Sequence, residues 1–313
     1  MSVTVYHYKA FGIALASEME LPELEPHDSP ADVVVRYGSV PEQLEDRVLA
    51  GPWYQVSPTR ILLDVKEVGR FLISEGSDVV VDPADGALDQ DVRLYFLGQV
   101  CAGLLHQRGA LPLHASAIET DTGAVAFLGN SGAGKSTMAT AFARLGHRIL
   151  ADDIVAVLPV ADGVHALPGY PEVKLWADVC GHLGEDPGQL RRLRPEIEKF
   201  GKPVRGAYCQ EPLPLQRIYL LEPGDGAQLG LCRVTGLDKI AALTQYTFRY
   251  PFLATREAKI PHFDLCARVA ERAEALRLTR PRDSVLIDEA VELVRADLAA
   301  SGVHPARARV VGE

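Results

Sequence analysis

The chain has 313 residues, 47% hydrophobic and 24% charged, so it holds ample apolar material for a folded core and is not expected to be disordered. Its 32 Lys and Arg against 42 Asp and Glu give a net charge of −10, which argues against general binding to nucleic acids or anionic membranes. No stretch approaches the ~20 apolar residues of a membrane helix, and the N-terminus lacks the pattern of a signal peptide. The five cysteines form no C-x-x-C pair, so we expect free thiols in a reducing cytoplasm.

The first part of the chain, residues 1–88, is predicted to be a β-rich domain. Short runs rich in β-branched and aromatic residues alternate with Pro, Gly, Asp and Ser, a pattern typical of strands: Val3–Tyr8, Asp32–Tyr37, Ile61–Val65 and Val79–Val81. Apolar residues then recur four apart, which predicts a helix over Asp89–Gln107 with Asp89 as its N-cap and Gly109 as its stop. We expect this helix, within residues 89–109, to bridge into a second domain over 110–313.

From residue 110 onward, predicted strands alternate with predicted helices. The strands are Leu111–Ile118, Ala124–Leu128, Arg148–Ala151 and Ile218–Leu221. The helices are Lys135–Leu145, Leu237–Thr247, His262–Ala275 and Ser284–Ala299, the last capped by Asp283. A β-α-β order of this kind predicts a parallel sheet with a crossover helix.

The strongest motif is a glycine-rich loop that matches G-x-x-x-x-G-K-[ST] between a predicted strand and a predicted helix. Its candidate phosphate-binding residues are Gly129, Asn130, Ser131, Gly132, Ala133, Gly134, Lys135, Ser136 and the adjoining Thr137. Glycines let the backbone curl so that successive N–H groups point at phosphate oxygens, and the helix N-terminus adds partial positive charge. Lys135 supplies a full charge, and the Ser136 hydroxyl is suited to ligate Mg²⁺. The motif predicts a nucleoside triphosphate site.

Two adjacent carboxylates, Asp152 and Asp153, are predicted to lie level with this loop. The helix runs ~16 Å away from it, and the five residues 147–151 return over ~16 Å as a strand. Adjacent strand residues point to opposite faces, so the two aspartates should have different roles. One would hold Mg²⁺ and the other would accept a proton from an attacking hydroxyl. The alternative is a solvated turn that happens to contain two acids.

The segment from Leu113 to Asp153, with its histidine, phosphate loop and G-H-R-x-x-A-D-D pattern, resembles the catalytic core of HPr kinase/phosphorylase. The resemblance implies an α/β P-loop domain of the HPr kinase and phosphoenolpyruvate carboxykinase type, here preceded by a smaller β-rich domain. The remainder of the chain resembles a divergent branch of HPr-kinase-related proteins, some of which phosphorylate a lasso-peptide precursor on a serine hydroxyl.

By this resemblance, Lys135 and Ser136 match the nucleotide-binding pair, Asp152 matches the catalytic aspartate, and His114 matches a histidine near the transferred phosphoryl group. It implies ATP and Mg²⁺ as cofactors, with Ser136 and Asp153 as metal ligands, although the residues themselves leave open which aspartate is the base. Thr137 stands where the family usually has Glu, and Pro168–Lys174 occupies the region of its E-V-R-G-type signature. The resemblance therefore does not extend to phosphorylase activity or to HPr as the substrate.

Several other polar residues are weaker candidates. Arg249 follows a predicted helix and is interpreted either as a γ-phosphate contact or as a helix-end arginine. Lys174 has the same two interpretations, as a phosphate contact or as a structural residue. Glu172 is a weaker candidate for assisting the metal. Residues 186–205 hold six basic side chains on an acidic chain: Arg191, Arg192, Arg194, Lys199, Lys202 and Arg205. This run predicts either a solvated helix face or a loop that docks an acidic peptide or phosphates.

The favoured hypothesis is a kinase that transfers the γ-phosphoryl group of ATP to a serine of a protein or peptide. A small-molecule hydroxyl kinase is a variant of it, and a nucleotide-dependent switch or ATPase is the alternative from another class. The chain has neither an N-K-x-D guanine-binding motif nor the L-S-G-G-Q motif of transporter ATPases, which weighs against the common switches. Expected partners are a protein or peptide acceptor, without nucleic acid or membrane, and a homo-oligomer is left open.

Overall fold

The computed structural model describes residues 4–194, 196–224, 228–281 and 286–306. Val3 of the first predicted strand, and the predicted Asp283 cap with Ser284, lie outside these residues. The chain begins with nine strands that form one sheet: β1 (Tyr6–Ala10), β2 (Ile13–Ser17), β3 (Glu25–Pro26), β4 (Val33–Tyr37), β5 (Leu49–Ala50), β6 (Tyr54–Val56), β7 (Arg60–Val65), β8 (Gly69–Ser74) and β9 (Asp78–Pro83). Their spatial order is β3-β1-β2-β4-β9-β8-β7-β6-β5. The pairs β2–β4 and β4–β9 are parallel, and the others are antiparallel.

A helical segment follows this sheet at the predicted place. It comprises α1 (Asp89–Tyr95), a π-helical stretch (Phe96–Val100) and α2 (Cys101–Gln107). The expected inner face is confirmed, because Val92, Phe96, Val100 and Leu104 are all buried in the core beneath the nine-stranded sheet. The predicted N-cap is wrong: Asp89 is already inside α1, and Leu88 occupies the cap position without a side-chain cap.

The rest of the described chain alternates between strands and helices. The strands are β10 (Leu111–Leu113), β11 (Ala115–Glu119), β12 (Ala124–Leu128), β13 (Ile149–Ala151), β14 (Val155–Val160), β15 (Gly163–Leu167), β16 (Glu172–Trp176), β17 (Arg191–Arg194), β18 (Ile197–Pro203), β19 (Leu213–Gly224), β20 (Gly230–Arg233) and β21 (Glu274–Pro281). The helices are α3 (Lys135–Arg144), α4 (Ala177–His182), α5 (Gly236–Gln245), α6 (Arg256–Arg272) and α7 (Ile287–Ala300).

The sheet around the glycine-rich loop is mixed, not a simple parallel β-α-β unit. β12 pairs with β19 in parallel and with β11 in antiparallel orientation, and β13 pairs antiparallel with β11. β11 therefore separates β12 from β13, because the short connection after Glu119 folds β12 back beside β11 before α3 begins. The predicted strand Leu111–Ile118 is two strands interrupted at His114: β10 pairs with β14, and β11 pairs with β12.

Two further expectations are wrong. The basic stretch is neither a helix face nor a loop, since β16, β18 and β17 form an antiparallel three-stranded sheet, which we call the basic sheet. The predicted helix His262–Ala275 starts earlier and ends at Arg272, and Glu274 opens β21.

Helices cover both faces of the mixed sheet, which explains why the strand β12 is buried at every position. α3 and α7 pack on one face, where Phe142 of α3 contacts Phe127 of β12, and α5 and α6 contribute to the core on the other face. The glycine-rich loop lies between the carboxyl end of β12 and α3, where ligands bind in open α/β sheets. None of the described helices is both long and apolar enough to cross a bilayer.

Candidate active site

The glycine-rich loop has an open concave surface. Gly132 and Gly134 have φ angles of +79° and +99°, which favour glycine, and a Cβ atom at either position would have no neighbour within 4 Å. At Gly129 the opposite holds, because a Cβ atom there would lie 2.8 Å from the Ala133 Cβ and 3.0 Å from the Leu221 carbonyl oxygen. Glycine at 129 thus permits a close turn, and the other two leave room for a ligand beside the backbone.

The ammonium of Lys135 is bonded within the loop. Its Nζ donates to the carbonyl oxygens of Gly129 at 2.9 Å and Asn130 at 3.0 Å, and it lies 3.0 Å from His114 Nε2. Burial lowers the pKa of Lys135 to about 8, although Asp153 and Asp152 oppose this shift. All three of its protons are therefore engaged, and a bound phosphate would have to replace at least one of these partners.

His114 lies between β10 and β11, and its hydrogen bonds define its tautomer. Since Lys135 donates to Nε2, that nitrogen has no proton, and the proton is on Nδ1, which donates to the Asp153 carbonyl oxygen at 3.1 Å. The ring packs against Phe248, with ring centroids 5.4 Å apart. Burial, followed by the charge of Lys135, lowers the pKa of His114, so the ring is neutral.

Asp152 is buried and fully hydrogen-bonded. Its Oδ1 accepts from the Ser116 hydroxyl at 2.5 Å, and its Oδ2 accepts from the Ser136 hydroxyl at 3.1 Å and from the Lys174 backbone N–H at 2.7 Å. The carboxylate thus shares its environment with the hydroxyl that the motif assigns to the metal. Ser116 was not singled out by the sequence, since nothing in the β11 pattern distinguishes a buried structural serine from a functional one.

Asp153 faces different partners. Its φ is +69°, and the Ile154 N–H bonds to the Asp152 carbonyl oxygen at 2.8 Å, so the chain turns tightly at Asp153 and separates the two carboxylates. Its Oδ2 accepts from Lys174 Nζ at 2.8 Å, and its Oδ1 lies 3.7 Å from His114 Nδ1.

The ion pair of Asp153 with Lys174 holds both groups charged. Burial alone would raise the pKa of the Asp153 carboxyl, but the charges of Lys174 and Lys199 outweigh it and hold the pKa far below its usual range. Burial alone would lower the pKa of Lys174, but Asp153 outweighs it and raises the pKa above its usual range. An anionic carboxylate is therefore fixed close to the glycine-rich loop.

Two of the weaker candidates, Arg249 and Glu172, do not line the cavity beside the loop, whereas Lys174 does. Arg249 lies between the rings of Trp53 and Phe248, with its guanidinium carbon 4.8 and 5.0 Å from their centroids, and it donates to the side-chain oxygen of Gln99. It does not line the loop cavity and supports the segment that packs on His114. Glu172 accepts two hydrogen bonds from Arg191, at 2.8 and 3.0 Å, so its carboxylate is already paired.

A cavity of about 510 Å³ lies beside the loop and has two chemically different flanks. Helix α3 contacts α7 on one side and β16 on the other. The α7 flank is mainly apolar and includes Leu221, Leu278, Ile287 and Ala290, and Arg280 also lines the cavity. The β16 flank is polar and includes Lys174, Trp176, Asp178 and Lys199, while Asp153 and His114 also line the cavity.

No family model matches the chain, and neither does any curated protein. Solved structures do match, among them the HPr(Ser) kinase/phosphatase from Coxiella burnetii. That match is 12% identical, covers 61% of this chain and 93% of the other, and has a TM-score of 0.32. Similarity at this level carries no argument about chemistry, so a function for this chain has to rest on its own residues.

Proposed function

We propose that this chain is an ATP- and Mg²⁺-dependent kinase that transfers the γ-phosphoryl group to a serine hydroxyl of a protein or peptide. The observation that supports it best is the Asp153 carboxylate, which lines the same cavity as the phosphate loop and is kept ionised by Lys174. A nucleotide-dependent switch needs the loop and the metal, but it has no use for a second carboxylate placed to receive an acceptor hydroxyl.

The loop and its surroundings suit a nucleotide. The open concavity at Gly132 and Gly134 would receive the phosphates, and the apolar α7 flank would cover the nucleoside. Within the described ranges, no group of three or more His, Cys, Asp or Glu could hold a metal ion. Ser136 and Asp152 would therefore hold Mg²⁺ together with phosphate oxygens, which is how Mg²⁺ is usually bound. This proposal assigns the metal to Asp152 in place of Asp153.

Asp153 is then the acceptor-side base, a role that the resemblance had assigned to Asp152. The acceptor oxygen forms a bond to the γ-phosphorus, the bond from that phosphorus to the bridging oxygen breaks, ADP leaves, and the hydroxyl proton passes to Asp153. Because its pKa is low, Asp153 is a weak base, and its main contribution is to orient the hydroxyl and accept the proton late in a loose transition state. Mg²⁺ supplies neutralisation of the phosphate charge.

Lys135 and His114 act together in this scheme. When Lys135 turns from the loop carbonyls and His114 towards the phosphates, His114 Nε2 loses its donor and faces negative charge. That charge favours a proton on Nε2, so His114 becomes a second donor to the transferred group, while Nδ1 stays bonded to the Asp153 carbonyl oxygen.

The test uses γ-labelled ATP, Mg²⁺ and serine peptides, including a lasso-peptide precursor, with products identified by mass spectrometry. Asp153→Asn should lower acceptor phosphorylation by ~10²–10⁴ and leave ATP binding intact. Asp162→Asn, the same substitution in an exposed turn, is the matched control. ATP hydrolysis that produces no phosphorylated acceptor and is unchanged in Asp153→Asn would refute the kinase and favour the switch.

A further inference from the structure

The basic sheet presents one face to the cavity beside the loop. Side chains alternate along a strand, so Lys174 and Trp176 of β16 share a face. Trp176 pairs with Lys199 across to β18, and Lys174 pairs with Gly201 in the same way. The Lys199 ammonium lies over the Trp176 ring, 5.7 Å from its centroid, and both side chains line the cavity.

Most cations on this face are neutralised, but Lys199 is not. Lys174 is paired with Asp153, and Arg191 is paired with Glu172. Across the described part of the chain, no carboxylate lies within ion-pair distance of Lys199, and its ammonium forms no hydrogen bond. Glu172 is out of its reach because Glu172 and Trp176 are four residues apart on β16, which is ~13 Å of strand.

Gly201 explains why Glu172 stays with Arg191. A Cβ atom at position 201 would lie 2.6 Å from Glu172 Oε2, so only glycine lets this carboxylate lie across β18. On the other side of that strand, Arg191 of β17 pairs with Gly201, and its guanidinium donates a hydrogen bond to the Glu172 carboxylate. Of the cations that share this face of the basic sheet, Lys174 and Arg191 therefore have carboxylate partners, whereas Lys199 at the cavity has none among the described residues.

We propose that Lys199, supported by Trp176, binds a carboxylate of the acceptor, so that the phosphorylated serine lies in an acidic segment of a peptide or protein. This inference rests on the proposed kinase function, because the acceptor must reach Asp153 through the same cavity. The net charge of −10 repels an acidic peptide at long range, so binding one needs a local cation. Asp178 lies on the same flank, so the bound carboxylate must lie nearer to Lys199 than to Asp178.

Binding is measured by fluorescence anisotropy with labelled ten-residue peptides that carry Ala in place of the acceptor serine, in the presence of Mg²⁺ and a non-hydrolysable ATP analogue. The peptides differ only in having Glu, Gln or Lys on both sides of the Ala. Wild type should bind the Glu peptide ~10-fold more tightly than the Gln peptide, as expected for one hydrogen-bonded charge pair. Lys199→Met retains the apolar stem on Trp176 and should abolish this difference, and Lys199→Glu should reverse it in favour of the Lys peptide.

Arg192→Met is the matched control. Arg192 is an exposed basic residue of the same sheet, it does not line the cavity, and its Nε donates to the Ile197 carbonyl oxygen. The Glu preference should be unchanged in this variant. Equal binding of the Glu and Gln peptides by wild type, or a Glu preference that persists in Lys199→Met, would overturn the proposal. Loss of affinity for the ATP analogue in Lys199→Met, without loss of the Glu preference, would assign Lys199 to the phosphates and overturn it as well.

This assay separates the inference from the kinase function, because it needs no phosphoryl transfer. Lys199-dependent binding of the Glu peptide, with no phosphorylated product from its serine counterpart and ATP, would uphold the carboxylate subsite and refute the kinase. Phosphorylation of the corresponding serine peptides, with Glu, Gln or Lys on both sides of the Ser, with equal kcat/KM would uphold the kinase and refute the subsite. Competition by free L-serine as effective as that by the Glu peptide would assign the subsite to a small hydroxy acid and overturn the peptide acceptor.

Discussion

The ion pair between Asp153 and Lys174 should stabilise the fold as well as serve the reaction, and the two contributions are separable. The side chains of Asp153 and Lys174 are only 19% and 6% exposed, so removing one partner leaves a largely buried, uncompensated charge. Breaking such a pair costs ~3–5 kcal/mol of unfolding free energy. At ~2–4 °C per kcal/mol, we expect Asp153→Asn to lower the melting temperature by roughly 6–20 °C.

Asparagine is the right replacement because it tolerates the left-handed backbone at position 153. Lys174→Met should be destabilising for the same reason, since it leaves Asp153 unpaired. The double variant buries neither charge, so it should be no less stable than either single variant, which corresponds to a coupling energy of at least ~3 kcal/mol between the two sites. Its phosphoryl transfer should stay ~10²–10⁴ below wild type, because the base is still missing.

The assay is urea unfolding followed by circular dichroism, together with single-turnover transfer from labelled ATP. Asp162→Asn controls for the substitution itself and should unfold like wild type. The reasoning is refuted if the single variants are as stable as wild type, or if the losses in the double variant are simply additive. A double variant that regains transfer along with stability would show that Asp153 acts only as a partner for Lys174.

Three further outcomes follow from the site. Burial lowers the pKa of Lys135 to about 8, and bound phosphate should raise it, so ATP binding near pH 8.5 should take up a proton and ATP affinity should fall as pH rises above 8. Calorimetry in two buffers of different ionisation enthalpy measures this proton uptake, and finding no net uptake would contradict the prediction. Ser136→Ala and Asp152→Asn should each raise the Mg²⁺ concentration for half-maximal activity ~10-fold or more, measured by metal titration, whereas unchanged Mg²⁺ dependence would exclude both as ligands. Arg249→Met should lower the unfolding free energy by ~1–3 kcal/mol through loss of the ring contacts and the Gln99 hydrogen bond, with ATP affinity unchanged; a tenfold loss of ATP affinity would instead support the γ-phosphate hypothesis.

The shape of the glycine-rich loop and the helix after it were predictable because their determinants are local. The glycines, the lysine and the serine lie within eight residues, and the helix, predicted as Lys135–Leu145, ends at Arg144. The mixed sheet was not predictable in the same way. Whether β11 or β13 lies next to β12 depends on how the chain folds back after Glu119, and the apolar pattern of each strand is compatible with both arrangements.

The basic sheet could not be predicted because its pattern is set by partners that are distant in sequence. Residues 191–203 contain few alternating apolar positions, so their charges and glycine favour a loop when taken alone. In the structure, Arg191 forms an ion pair with Glu172 across β18, and Lys202 forms one with Glu185. The charges that obscure the strands in the sequence are thus satisfied by residues about twenty positions away.

The roles of the two aspartates show the same limit most sharply. Their adjacency implies different environments, but nothing in the segment from Leu113 to Asp153 indicates which one lines the cavity. Lys174 contacts both carboxylates. Its backbone N–H donates to the Asp152 carboxylate beside Ser136, and its ammonium donates to the Asp153 carboxylate in the cavity. A single residue of β16, about twenty positions downstream, therefore contacts one carboxylate beside Ser136 and the other in the cavity. Motif matching within forty residues cannot make that distinction, because the residue that makes it lies outside the motif.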